Sequence, residues 1–483
     1  MKSTANVLAI DVGTTSTRAA LVDGRGRVLG RAAARSTLTC PGPGRVEQDA
    51  EVLWRAVLGT LHGAFADAGV AATDVAAVGI TGQRASTIVW DRSTGTPLAP
   101  LMSWQDLSCV DRATELTHAG YVVFPQTSAA KLEALLDRIP QGRQRAHAGE
   151  IVWGNVDAYV AFRLSGGTVF ATDTSQASAT GYYDPFADTW NAALLALQGL
   201  PAAMFPRLCG TEEVVGYTAS SLLGERIPIA AIVADQQSAL IARDSPVVGT
   251  TKITFGTSAT CDVDTGPEIR LAAGTYPMVL NGRGEGRRFC LEGMVITAGA
   301  TLDWLVTLGL APSVQALDRE AAQVPDSGGV SMLPALQGLG TPHMSPERRG
   351  VFAGLTRSST RGHLARAALE SVAFRCREIL GAMRTATGVA PDAVHVDGGG
   401  AVSDLWMQIH ADVLGVPVVR PVEREATLLG AALCAGRAAG LRWPSGDAAF
   451  CATERVFEPR GSDAGRESRF DAWRTACALT EAG

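Results

Sequence analysis

The chain has 483 residues, more than one hydrophobic core usually supports, so two or more domains are expected. It is 46% apolar and 19% charged, with 53 glycines and a formal net charge of -6, a composition that reads as an α/β enzyme and excludes a disordered chain. Basic residues are scattered and the nine cysteines include no Cys-x-x-Cys pair, which argues against a nucleic-acid or membrane partner, a disulfide framework and a zinc site.

A small-molecule partner and a reducing, cytoplasmic setting are the expectation. Met1–Asn6 leads into a strand-like run without a signal-type apolar segment, and no window approaches the ~18 uninterrupted apolar residues of a membrane span.

In chain order, Val7–Ile10 reads as a short apolar strand, Asp11–Thr15 as a tight polar turn and Ser16–Val22 as a second strand. Asp23-Gly24-Arg25-Gly26 turns into a third. Asp49–Ala68 has helical periodicity, and Val75–Thr81 returns as a buried strand. The strand, Gly-Thr turn, strand pattern of Ala9–Val22 recurs at Lys252–Val263, and Val78–Gly82 is echoed by the glycine-ended strand Val394–Gly400. The same order in both halves predicts a duplicated α/β architecture. Its first lobe spans 1–245 and its second 246–483, and a cleft lies between them.

The recurring turns have the chemistry of phosphate handling. In Asp11-Val12-Gly13-Thr14-Thr15, followed by Arg18, glycine admits close backbone approach, Thr14 and Thr15 offer N–H and O–H donors, Arg18 offers charge and Asp11 can hold Mg²⁺ through water. A hairpin turn bonded to its own hydroxyls is the plainer reading of the same residues. Gly256-Thr257-Ser258 supplies similar donors, and Asp397-Gly398-Gly399-Gly400 leads into a helix beginning near Ser403.

These residues resemble the FGGY family of carbohydrate kinases within the actin-like ATPase superfamily, from about Val7 to Gly440. The segments Ile80–Asp91, Thr172–Ser178 and Ala234–Leu240 are similar to the glycerol-kinase branch, and Gly350–Leu355 with His363-Leu364 and Ala367–Glu370 fits the family's C-terminal signature. The resemblance implies two ribonuclease-H-like domains, an N-terminal one for the acceptor and the catalytic base, and a C-terminal one for ATP. Asp235 would be the general base for a sugar or polyol hydroxyl, with ATP and Mg²⁺ as cosubstrate and metal. Helix N-capping is the alternative for Asp235.

By the same carry-over, Asp11 and Asp235 would organise Mg²⁺, partly through water. Arg84, Trp104, Asp235 and Gln236 would bind the acceptor. Thr14, Thr15, Arg18, Gly256, Thr257, Gly299, Gly399, Gly400 and Ser403 would serve ATP and its phosphates. Gly299 also reads as a helix-packing glycine and Trp104 as a core anchor. The number of subunits is left open, a homo-oligomer included.

The sequence departs from that branch at three acceptor positions. Ala85 stands where the branch has a glutamate, Gln126 where it has a tyrosine before the predicted Ala129–Ile139 helix, and Thr260 where it has an aromatic residue. A polar, altered wall of that kind suits a pentose, ketose, tetritol or cyclitol better than glycerol. The N-terminal signature keeps Lys131 and Leu132 but has Ala134 for tryptophan, and Ala234 replaces the glycine usually before the base.

Three other readings are weaker. A hexokinase-like or acetate-kinase-like protein would lack Asp235-Gln236-Gln237 and the Gly350–Glu370 signature. A sugar sensor without turnover would lose Asp11 or Asp235, and a chaperone-type ATPase would need more than the short closing segment after Gly440.

Overall fold

The computed structural model describes residues 6–243, 247–442 and 452–478. Two units are resolved by internal contacts: 1–245 with 278–288 and 426–451, and 246–277 with 289–425 and 452–483. The expected linker at 245–246 lies outside the described residues.

The first unit is built on a six-stranded sheet in the order Gly216–Tyr217, Pro228–Ala234, Val75–Gly82, Asn6–Val12, Ser16–Val22, Val28–Arg35. Asn6–Val12 is parallel to Val75–Gly82, which is parallel to Pro228–Ala234, whereas its hairpin with Ser16–Val22 is antiparallel. Every residue of Asn6–Val12 is buried, as a central strand covered on both faces requires. That explains one difference from the sequence reading. The strand runs on through Asp11 and Val12, because both find ladder partners on each side, and the turn shrinks to Gly13–Thr15.

Register aligns the C-terminal ends of the three parallel strands, since Val12 pairs with Gly82 and Gly82 with Ala234. Gly13–Thr15, Gln83–Ala85 and Asp235 therefore leave the sheet at one level, where open α/β sheets present their ligands. The Ala50–Ala68 helix covers the sheet with Leu53, Trp54, Val57, Leu61 and Ala64. Asp49 caps its start by accepting from Glu51 and Val52 N–H, and Gly69 ends it at φ 63°. The Ala426–Ala438 helix packs so closely on this unit that a Cβ at Gly79 would lie 2.3 Å from the Ala431 carbonyl oxygen.

In the second unit the strands Arg288–Val295, Ala259–Gly266, Thr251–Phe255, Val394–Asp397, Val418–Pro421 and Thr453–Phe457 run side by side in that order. An antiparallel trio followed by parallel Thr251–Phe255, Val394–Asp397 and Val418–Pro421 repeats the arrangement of the first sheet. The 27-residue Arg361–Thr387 helix, closed by a Thr360/His363 capping box, lies against a core containing Phe255, Phe374, Trp406 and Trp473. After Gly440 the described residues form a strand, Thr453–Phe457, and a helix, Asp463–Ala478.

Candidate functional site

In the first unit the expected acceptor residues meet at the shared strand ends. Arg84 Nε lies 3.3 Å from Asp235 Oδ1, both side chains being mostly covered. Asp235 is the first residue of the Asp235–Ile241 helix rather than the residue before it, and Ala234 occupies the cap position without a side-chain bond. Oδ1 of Asp235 also accepts from the Gln236 N–H at 2.8 Å. A carboxylate in the first helical turn faces the favourable end of the helix dipole, so a local structural role and a chemical one coexist.

The Gly13–Thr15 turn is fixed from behind. Asp11 is buried on its strand and faces Arg18 across the hairpin, with a closest N–O separation of 4.0 Å. The Thr14 hydroxyl donates to Gln83 Oε1 at 3.1 Å and accepts from Trp104 Nε1 at 2.9 Å. Gln48 Nε2 donates to the Thr14 carbonyl at 3.1 Å, and Gln83 Nε2 donates to Gln48 Oε1 at 2.9 Å. Ser86 joins the ring, donating to Gln83 Oε1 at 3.0 Å and accepting from Trp104 N–H at 3.2 Å. The Thr14 hydroxyl proton is thus engaged inside the protein, and the Gly13 N–H donates to the Ser16 carbonyl at 3.0 Å. Thr15 is exposed, and its carbonyl accepts from Ser36 N–H at 2.9 Å.

Trp104 therefore lies beside the phosphate turn with its indole nitrogen tied to it. Ala85 has φ 56°, a left-handed conformation unusual for a residue with a Cβ, and its side chain is buried. Gln126 is exposed, and its carbonyl accepts from Lys131 Nζ at 2.7 Å. The same amine donates to the Ser103 carbonyl at 2.7 Å, so one buried lysine ties the residue before Trp104 to Gln126. Burial pushes the Lys131 amine down to about 7, with Asp106 and Cys109 pulling the other way.

The nucleotide candidates lie in the second unit. Gly256 and Thr257 are exposed at the turn between two strands. Their carbonyls accept from Gly299 N–H at 3.1 Å and from Ala298 and Ala300 N–H at 3.0 Å each. A Cβ at Gly299 would lie 2.4 Å from the Gly256 carbonyl oxygen, so this glycine is required by close docking of the Gly299–Thr307 helix on the turn. Gly398 has φ 81° and approaches Phe255 backbone, whereas a Cβ at Gly399 would meet nothing within 4 Å. At Gly400 a Cβ would come within 2.6 Å of the Trp406 ring. Ser403 caps the Asp404–Leu414 helix by accepting from Trp406 N–H at 3.0 Å and donates its proton to Asp318 at 2.6 Å. Thr260 is buried on the Ala259–Gly266 strand of this second unit.

Gln48, Gln83 and the paired carbonyls under Lys131 were not singled out from sequence as site groups. Gln83 and Lys131 fall inside quoted motifs, which was the available signal; Gln48 has none. Among the described residues, no group of three or more His, Cys, Asp or Glu side chains gathers into a metal cage.

Comparison with known proteins shows the family. Residues 6–242 match the model of the N-terminal domain of the FGGY family of carbohydrate kinases, and residues 246–439 match that of its C-terminal domain. The chain is 41% identical to a glycerol kinase of Citrifermentans bemidjiense, covering 98% of each chain. It is 40% identical to one of Thermus brockianus, covering 97% of each. A Plasmodium falciparum glycerol kinase solved with ADP superposes with a TM-score of 0.92 at 24% identity, over 99% of this chain and 98% of that one. A Rhodospirillum rubrum xylulose kinase gives 0.83 at 27% identity, over 99% and 98%.

Proposed function

Because this chain belongs to the FGGY family of carbohydrate kinases and is an ATP-dependent phosphotransferase, we propose that Asp235 is its general base and that Arg84, Trp104 and Gln236 hold the acceptor hydroxyl against it. The observation that carries the reading is the Arg84–Asp235 pair, placed at the same sheet end as the Gly13–Thr15 turn.

The acceptor oxygen attacks the γ-phosphorus of ATP, the bond from that phosphorus to the bridging oxygen breaks, and ADP leaves. Asp235 takes the hydroxyl proton as the new P–O bond forms. Arg84 holds the carboxylate oriented until then. Backbone N–H groups of Thr14 and Thr15, with Arg18, face the transferring phosphoryl group. Gly256 and Thr257 serve the nucleotide phosphates from the second unit, and the Gly399–Gly400 turn faces the nucleoside. Gly299 and Ser403 act through packing and capping of that frame.

Two carboxylates, Asp11 and Asp235, fit Mg²⁺ of the kind that arrives on nucleotide phosphates and keeps most of its water. When bound, the ion would neutralise charge on the nucleotide's phosphates. The cytoplasm, which supplies ATP, is the proposed setting, in keeping with nine cysteines that include no Cys-x-x-Cys pair.

The similar glycerol kinases support a polyol or related sugar as acceptor. Ala85, Gln126 and Thr260 support one larger than glycerol or differently hydroxylated. A coupled ADP-release assay over glycerol, tetritols, pentitols, pentoses and ketoses tests this. The expected result is a kcat/KM for one of the longer acceptors at least ~10-fold above that for glycerol; glycerol as the best acceptor would overturn the specificity.

A further inference from the structure

The Thr172–Ser178 segment contains no group that the proposed reaction uses, yet it is buried almost throughout and hydrogen-bonded to the strand ends beneath the site. Asp173 is wholly buried and accepts from Gln176 N–H at 2.9 Å, from the Ser175 hydroxyl at 2.8 Å and from the Thr211 hydroxyl at 2.8 Å. With its proton given to Asp173, the Ser175 oxygen has a lone pair aimed elsewhere. It accepts at 2.9 Å from the N–H of Ala234, the residue immediately before Asp235. The neighbouring Gln176, also wholly buried, donates Nε2 to the Gly82 carbonyl at 2.9 Å, two residues before Arg84.

Ala234 and Gly82 are ladder partners at the ends of adjacent parallel strands. Beyond that point the ladder stops, and the chain carries Arg84 and Asp235 without further strand pairing. One five-residue helix, Thr174–Ser178, therefore grips both strand ends just where sheet hydrogen bonding ceases. We infer that Asp173, Ser175 and Gln176 are positioning residues for phosphoryl transfer: they set the separation of Arg84 from Asp235 by fixing the peptides at Gly82 and Ala234.

The inference rests on Asp235 as base. The brace sets a buried carboxylate among three donors, and through one of them, the Ser175 hydroxyl, it reaches the Ala234 N–H. Burial raises the Asp173 carboxyl to about 6 against the pull of its three donors, so the arrangement is costly to maintain. A small shift of the base relative to the acceptor hydroxyl costs rate steeply, because catalysis here is mostly positioning.

The test is Ser175→Ala and Gln176→Leu, each with steady-state kinetics on the best acceptor found in the panel and a thermal melt. Each is expected to lower kcat by about 10-fold or more while KM for ATP stays within about twofold, and Ser175→Thr, which keeps the hydroxyl, restores most of kcat. Should Ser175→Ala fail to fold, Gln176→Leu carries the measurement alone. Folded variants with lowered melting temperature but kcat within twofold of the parent would overturn the inference, leaving the segment a purely structural brace. Asp235→Asn assayed beside them separates the two claims. If it retains turnover, the assignment of the base fails; if it is inactive while Ser175→Ala and Gln176→Leu are fully active, only the positioning role fails.

Discussion

Lys131→Met separates the cost of a buried cation from the value of the bonds it makes. Burial brings the folded amine from 10.5 to about 7, so below pH 7 the fold holds a desolvated ammonium, and above it a neutral amine with two N–H groups for the Ser103 and Gln126 carbonyls. A folded pKa below the unfolded one means that the unfolded chain binds more protons between the two values. Stability therefore rises with pH through that window. Between about pH 6.5 and 9 the linkage amounts to roughly 2.5 kcal/mol, and Lys131→Met lacks it.

The variant also strands the buried Ser103 carbonyl, at about 1–3 kcal/mol, and removes a partner from the partly covered Gln126 carbonyl, which offsets much of the gain from removing the cation near neutrality. The parent should thus differ little from Lys131→Met at pH 6.5 and exceed it by roughly 2–3 kcal/mol at pH 9. Urea unfolding followed by circular dichroism at both values measures this. Parallel pH dependence of the two proteins would refute the argument, because it would mean that the amine titrates alike in folded and unfolded chains. Loss of the tie between Ser103 and Gln126 should also raise KM for the acceptor more than KM for ATP.

Gln83→Leu leaves the Thr14 and Ser86 hydroxyls and the Gln48 amide without their partner. It should change tryptophan emission through Trp104 and raise KM for the acceptor; an unchanged spectrum with parent kinetics would count against the ring. Gly299→Ala forces a Cβ to 2.4 Å from the Gly256 oxygen, so KM for ATP should rise at least ~10-fold. Gly399→Ala meets nothing within 4 Å and should leave stability within about 0.5 kcal/mol, so any loss of ATP affinity there reports the ligand itself. Unaltered ATP affinity in Gly299→Ala would show that the turn adapts.

The parts legible in the sequence were those encoded locally or repeated. The duplicated strand–turn–strand pattern gave the two sheets, and periodicity over Asp49–Ala68 located the Ala50–Ala68 helix to within one residue. Asp11 was read as a turn residue because a lone carboxylate looks like an ending. Its place in the strand depends on neighbours 7 and 70 positions away, Arg18 and Thr81, which no window contains. The same holds for Gln48, Gln83 and Gln176, whose bonds join positions 34, 69 and 94 residues apart. Ser403 enters as a nucleotide contact only through the family resemblance. In the fold its hydroxyl is taken by a helix start and by Asp318, a partner with no sequence signature.

The most direct test of the account is Asp235→Asn, measured for ATP binding by calorimetry and for single-turnover phosphorylation of the best acceptor. The carboxamide preserves size and can still accept from Gln236 N–H, but it cannot take the hydroxyl proton. Parent-like ATP affinity with phosphorylation reduced at least ~10²-fold is the expected result, and phosphorylation at the parent rate would contradict the account.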